Sequence, residues 1–180
     1  IRSKVLSSLH QCDYRAEEGE VIDVRRLIRG EVSDAALTLA TMVDLKEDSP
    51  AIERACEHEI GKIRKRIFLF LSFIYESQTI LRAEENLLQD SVDQRAYALE
   101  VIDTTLAQDL KGILFPLLED LDPETRLRRL EIHFPQEHLT TNERLEELIA
   151  RQGRWVNPWL RACALHAIAD LPGETSADTV

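Results

Sequence analysis

At 180 residues and 44% hydrophobic, the chain can bury one core or one stack of repeats, and it is no disordered polymer. Its 33 acidic residues against 22 basic ones give a formal charge of −11, which argues against a general nucleic-acid-binding surface but leaves room for a local basic patch. Three cysteines (Cys12, Cys56 and Cys163), odd in number and far apart, imply no disulfide framework and fit a reducing compartment.

Period-2 alternation is almost absent, and the apolar spacing is helical throughout. Val5, Leu6 and Leu9 predict a short first helix. Val21, Val24, Leu27, Ile28, Ala35, Leu39, Met42 and Val43 predict a helix over 18–45, with Gly30 as a weak point inside it. Asp48-Ser49-Pro50 follows, a cap candidate ahead of a proline suited to a first helical turn. Ile52, Cys56, Ile60, Ile63, Ile67, Phe70 and Ile74 carry the next helix over 50–75. Its second half is apolar on all sides, so neighbours must cover several faces. The run at 67–74 is too short for a bilayer, which takes about 20 such residues. A shorter helix over 78–88 comes next.

Beyond that point the chain repeats itself. The three segments Ser91-Val-Asp-Gln-Arg95, Asp122-Pro-Glu-Thr-Arg126 and Asn157-Pro-Trp-Leu-Arg161 each have a capping residue followed by arginine four later. Leu99, Leu130 and Leu165 stand eight after the caps, and the arginines are 31 and then 35 residues apart. Further helices are predicted over 108–120 and 140–152. The unit read from this order is a helix pair, each Arg-bearing helix leading the helix after it. Such a period marks an α-solenoid, because one pair cannot bury its apolar face alone. Ala96, Ala98, Ala162 and Ala164 are placed to let adjacent pairs approach closely, with Leu99, Ile102, Leu165 and Ile168 between layers. The three arginines are expected to form a ladder, each reaching an acidic group or helix-end carbonyl beside it.

These segments resemble HEAT repeats, most clearly over 90–121 and 157–171. Over residues 16–171, the succession Arg25-Arg26-Leu27, Arg66-Ile-Phe-Leu-Phe-Leu71, Arg95-Ala-Tyr-Ala-Leu-Glu-Val-Ile-Asp103, Phe115-Pro-Leu-Leu-Glu-Asp120 and Pro158-Trp-Leu-Arg-Ala-Cys-Ala-Leu165 is similar to a more specific group. That group is the cytoplasmic HEAT-repeat region of bacterial proteins related to ATP/ADP translocases of the major-facilitator type. The resemblance implies a cytoplasmic module, tethered to the inner membrane through another part of the protein, that couples a transporter-like region to a cyclic-nucleotide sensor or partner. It brings no catalytic residues. The expected fold is all-α, a right-handed HEAT/armadillo-like solenoid forming a single domain over 1–171, with 172–180 as a flexible tail or linker. The opening Ile1-Arg2-Ser3 reads as the start of a piece of a longer protein.

No chemistry-bearing motif is visible. His58 lacks a second histidine at zincin spacing, His133 and His138 straddle a proline, and no Cys-x-x-Cys pair occurs, so no metal is expected. The six glycines are single, with no phosphate-cradling loop. No cofactor is expected, and the chain reads as a scaffold rather than an enzyme. A soluble adaptor and a HEAT-like lyase or repair-enzyme subunit are the alternatives. Three basic clusters stand out: Arg25-Arg26-Arg29, Lys62-Arg64-Lys65-Arg66 and Arg126-Arg128-Arg129. Their ordinary reading is helix surface paired with nearby glutamates. The functional reading, sharpest for Lys62, Arg64, Lys65 and Arg66, is a basic face toward a protein partner, a neighbouring domain or an anionic membrane surface. Trp155 and Trp159 are expected to pack in the core or over a cap, with partner binding as their other reading.

Overall fold

A computed structural model describes residues 2–46, 49–150 and 158–170. The protein is all-α. Among the described residues there are nine helices: α1 (Arg2–Gln11), α2 (Val21–Asp44), α3 (Pro50–Ile74), α4 (Ser77–Leu87), α5 (Val92–Thr105), α6 (Gln108–Leu118), α7 (Pro123–Glu131), α8 (Thr141–Ala150) and α9 (Pro158–Asp170). α2 runs unbroken through Gly30. None of these helices is long and apolar enough to cross a membrane.

The helix starts follow from local chemistry. Ser49 accepts from the Ile52 N–H at 3.4 Å, with Pro50 opening α3. Glu76 accepts from the amides of Gln78 and Thr79 at the start of α4. Ser91 accepts from Gln94 N–H, and Asp122 from Thr125 N–H ahead of Pro123. The other two expected caps, Asp48 and Asn157, lie outside the described residues, as do Trp155 and the 172–180 tail. α6 begins differently: Ala107 offers no side-chain acceptor, and its own N–H donates to the Tyr75 hydroxyl at 3.1 Å.

The core is built on α2 and α3, which pack along each other. α2 buries Val24, Ile28, Val32, Ala35, Ala36 and Leu39, a stripe at helical spacing. α3 buries every residue from Ile67 to Phe73, the all-round apolar stretch that needs cover on several sides. α1, α2, α4 and α9 supply that cover along α3.

The pairing of the shorter helices differs from the sequence expectation by one helix. α4 packs on α5, α6 on α7 and α8 on α9, whereas α5 does not lie along α6 nor α7 along α8. Each Arg-bearing helix is therefore the second of its pair. The caps mark where helices begin but carry no information on which neighbour each one meets. α2 also packs along α7 and touches α6 and α8, while α3 meets α9. Stacking of neighbours alone does not produce those contacts. They arise because α2 and α3, at 24 and 25 residues, outreach helices of 9 to 14 residues.

The alanine pairs also divide. Ala98 and Ala164 are fully buried, but Ala96 and Ala162 face solvent. Between layers, Ile102 is buried and Leu99 and Ile168 are half-buried, while Leu165 is 50% exposed. The stripe of α9 that meets the core is Leu160, Cys163, Ala164, Ala167 and Ile168. That 3-and-4 spacing leaves alternate small residues outside.

Candidate interaction site

The three basic clusters are used very differently. In the first, Arg25 pairs with Asp109 at 3.5 Å, Arg26 with Asp23 at 2.6 Å, and Arg29 lies over the Phe134 ring at 5.5 Å. In the third, Arg126 donates to the carbonyls of Glu119 at 3.3 Å and Leu121 at 3.0 Å. Glu119 is the C-cap of α6 and Leu121 lies in the connection after it, so Arg126 ties the end of α6 to the turn that leads into its own helix. Arg128 donates to the Thr125 hydroxyl, and Arg129 pairs with Glu119. Every arginine of these two clusters thus has a contact, although Arg29 and Arg128 have no carboxylate partner among the described residues.

The middle cluster is split. Arg66 reaches Oε2 of the fully buried Glu31 at 2.9 Å and Oε1 of Glu59 at 3.3 Å. Lys62 lies 3.7 Å from Glu59. These two side chains belong to a charge network that joins α3 to α2. Arg64 and Lys65 are the remainder, and neither has a hydrogen bond or ion pair among the described residues. Both line a cleft of about 330 Å3 between α3 and α4, with Gly61 and Phe68 on the same wall and Glu84, Glu85 and Leu88 opposite.

The cleft perturbs its charges. Burial holds the Arg64 guanidinium below its ordinary value, and nearby Arg126 lowers it further, against the pull of Glu84. Burial pushes the Glu84 carboxyl up to about 7, although Lys65 and Arg64 favour its ionised form. Glu84 makes no hydrogen bond or ion pair among the described residues. The cleft thus holds two half-buried groups of opposite sign, Arg64 and Glu84, that do not meet each other. A cation and a carboxylate left apart in a partly desolvated groove are placed to receive groups from outside. Apolar surface is part of the lining: Leu88 is 70% exposed.

The three equivalent arginines do not share one arrangement. Arg126 caps α6 as described. Arg95, half-buried on α5, has no side-chain hydrogen bond or ion pair among the described residues. Arg161 is half-buried on α9 and has an interaction of its own. Trp159 is 62% exposed, so it is neither core nor a buried cap. It flanks the Leu160–Cys163–Ala164 stripe at its edge.

Two features were not anticipated from sequence. Arg144 of α8 is buried, and its Nε and Nη2 reach Oδ2 of Asp44 at 2.8 and 2.6 Å. The same side chain donates to the Glu137 carbonyl at 2.7 Å and pairs with Glu147. Its signal was a charge set directly beside the apolar Leu145 and Leu148. The other is Cys56, fully buried on α3, whose thiol is pushed up to about 12 by burial first and by Cys163 second. Such a thiol stays protonated and is a packing residue. Among the described residues, no group of three or more His, Cys, Asp or Glu side chains is arranged to hold a metal. No protein-family model, no curated protein and no solved structure matches the chain.

Proposed function

We propose that the chain is a non-catalytic interaction module that receives an acidic segment, with an apolar anchor, on the α3–α4 cleft. The observation that carries this reading is the pair Arg64 and Lys65, the cluster cations with no hydrogen bond, ion pair or ring contact among the described residues, lining one cleft in a chain of charge −11. A partner carboxylate would satisfy the half-buried Arg64 guanidinium with bidentate geometry. Leu88 would take the apolar anchor, since an exposed large side chain rimmed by charge is typical of contact surfaces.

The finer architecture belongs to this proposal. The helix pairs are HEAT-like units that curl round α2 and α3 instead of running on as an open stack. The wider setting rests on the resemblance over residues 16–171: a cytoplasmic region coupling a nucleotide-transporter-like membrane portion to a sensor domain or partner protein.

Photo-crosslinking tests the cleft. A benzoylphenylalanine at position 88 should give a defined adduct in cells, and charge reversal with Arg64→Glu and Lys65→Glu should reduce its yield. Position 22 serves as control, since Ile22 is 67% exposed away from the cleft. Equal yields from both positions, or indifference to charge reversal, would refute the reading.

A further inference from the structure

A second groove lies on the other side of α3, where α1 packs against it. Its volume is about 490 Å3. Lys4 comes from α1, and Lys62, Lys65 and Arg66 come from α3; no carboxylate lines the groove among the described residues. In an acidic chain this local balance is unusual, and the surrounding pairs decide how much positive charge is free. Behind the wall, Glu31 and Glu59 hold Arg66, and Glu59 also lies near Lys62. Two carboxylates therefore offset two of the four cations. Lys4 and Lys65 have no hydrogen bond or ion pair among the described residues, which leaves a surplus of two positive charges in the groove.

Hydroxyl groups complete the lining. Ser7 donates to the Ser3 carbonyl at 2.9 Å, so its proton is engaged within α1. The hydroxyls of Ser3 and Ser8 make no hydrogen bond among the described residues and line the same groove. Free ammonium groups as mobile point charges, together with unengaged hydroxyl donors, suit a compact anion with several acceptor oxygens. A phosphate monoester carries about −1.5 to −2 charge at neutral pH and three such oxygens. That charge matches the surplus. Leu69 adds an apolar strip for the organic part of an ester.

We propose that the α1–α3 groove binds a phosphate-monoester group, held by Lys4, Lys62 and Lys65, with Ser3 and Ser8 donating to its oxygens. This goes beyond the α3–α4 cleft and does not depend on it, although Lys65 stands at the rim of both. The group can come from a soluble phosphate ester or from a lipid headgroup.

The test is an amide-resonance titration of the whole chain with inorganic phosphate and with glycerol 3-phosphate at low ionic strength. It is paired with flotation on phosphatidylcholine vesicles with and without phosphatidic acid. Shifts should saturate at residues 3–8 and 62–66 and weaken as sodium chloride screens the site. The double variant K4Q/K65Q should weaken binding about tenfold or more, as loss of charged contacts implies. S3A/S8A should weaken it less, and R26Q, on a surface ion pair elsewhere, should leave it unchanged. Saturation by the soluble phosphates assigns a free ester. Flotation that requires phosphatidic acid, without such saturation, assigns a lipid headgroup. Absence of both, or binding indifferent to K4Q/K65Q, overturns the proposal.

Discussion

Arg144→Met should be among the most damaging single substitutions in this protein. The Arg144 side chain is 2% exposed, and that of its partner Asp44 is 5% exposed. Removing the guanidinium leaves the Asp44 carboxylate buried without its cation, and such a break costs about 3–5 kcal/mol. The Glu137 carbonyl also loses its donor, which adds about 1 kcal/mol. Glu147, whose side chain is 21% exposed, can rehydrate and adds little. The expected loss is therefore about 4–6 kcal/mol, or a fall in melting temperature of about 8–24 °C for a chain of this size. Urea denaturation followed by far-ultraviolet circular dichroism reads this directly. A companion Asp44→Leu/Arg144→Met variant should lose less than the sum of its single substitutions, because it leaves no buried charge unpaired. A loss below about 1 kcal/mol for Arg144→Met alone would refute the view of α2 and α8 as locked through this pair.

Three further outcomes are expected. Gly61 has open space where a Cβ would stand, so Gly61→Ala should raise stability by about 1 kcal/mol in a thermal melt, through helix propensity alone. The Glu84 carboxyl is raised from 4.5 to about 7, so between those values the folded chain keeps a proton that the unfolded chain has released. Its contribution is present at low pH and is lost as pH rises through the folded value. Glu84→Gln should remove that loss, so its stability relative to the parent should be higher at about pH 8 than at about pH 5 in paired urea titrations. Arg126→Ala should cost about 1–3 kcal/mol by uncovering the carbonyls of the α6 C-cap and of the connection after it, whereas Arg95→Ala should stay within about 0.5 kcal/mol. Parallel melts of the two variants check the contrast.

The helices were legible because their apolar positions recur at 3 and 4, and because Ser91 and Asp122 are strong caps placed at their starts. Their pairing was not. Short connections flank α5 on both sides, so the choice between α4 and α6 as its partner is made by tertiary burial. The basic stretch on α3 was visible as a cluster, but the division within it was not. Arg66 is engaged by Glu31, 35 residues away, and no local pattern reports a contact at that distance. Half of that pair did leave a trace. Glu31 stands on the Ile28–Val32–Ala35 stripe, so a buried carboxylate, and hence a buried cation, was implied without its identity. Trp159 is exposed because the small residues of α9 take the core face, which goes against its core-or-cap reading and leaves its partner-binding reading standing.

The two buried ion pairs share α2: Glu31 bonds to Arg66 of α3, and Asp44 to Arg144 of α8. Between them α2 buries mainly small side chains, Ala35, Ala36, Thr38 and Ala40, around the single Leu39, which sets few steric limits on how the helix slides. A slide of one turn, about 5.4 Å, would strip both carboxylates of their cations, so the charges select the register that packing alone leaves loose. Replacing Glu31 with Leu, Arg66 with Met and Glu59, the second partner of Arg66, with Gln separates these roles. Stability should change by no more than about 2 kcal/mol, since an apolar pair of similar volume replaces the ions. Uniqueness should suffer: amide resonances of α2 and α3 should broaden or double, and protection of their amides from exchange should fall. A variant that keeps one sharp set of resonances would assign the register to side-chain packing and leave the ion pair as a stability element only.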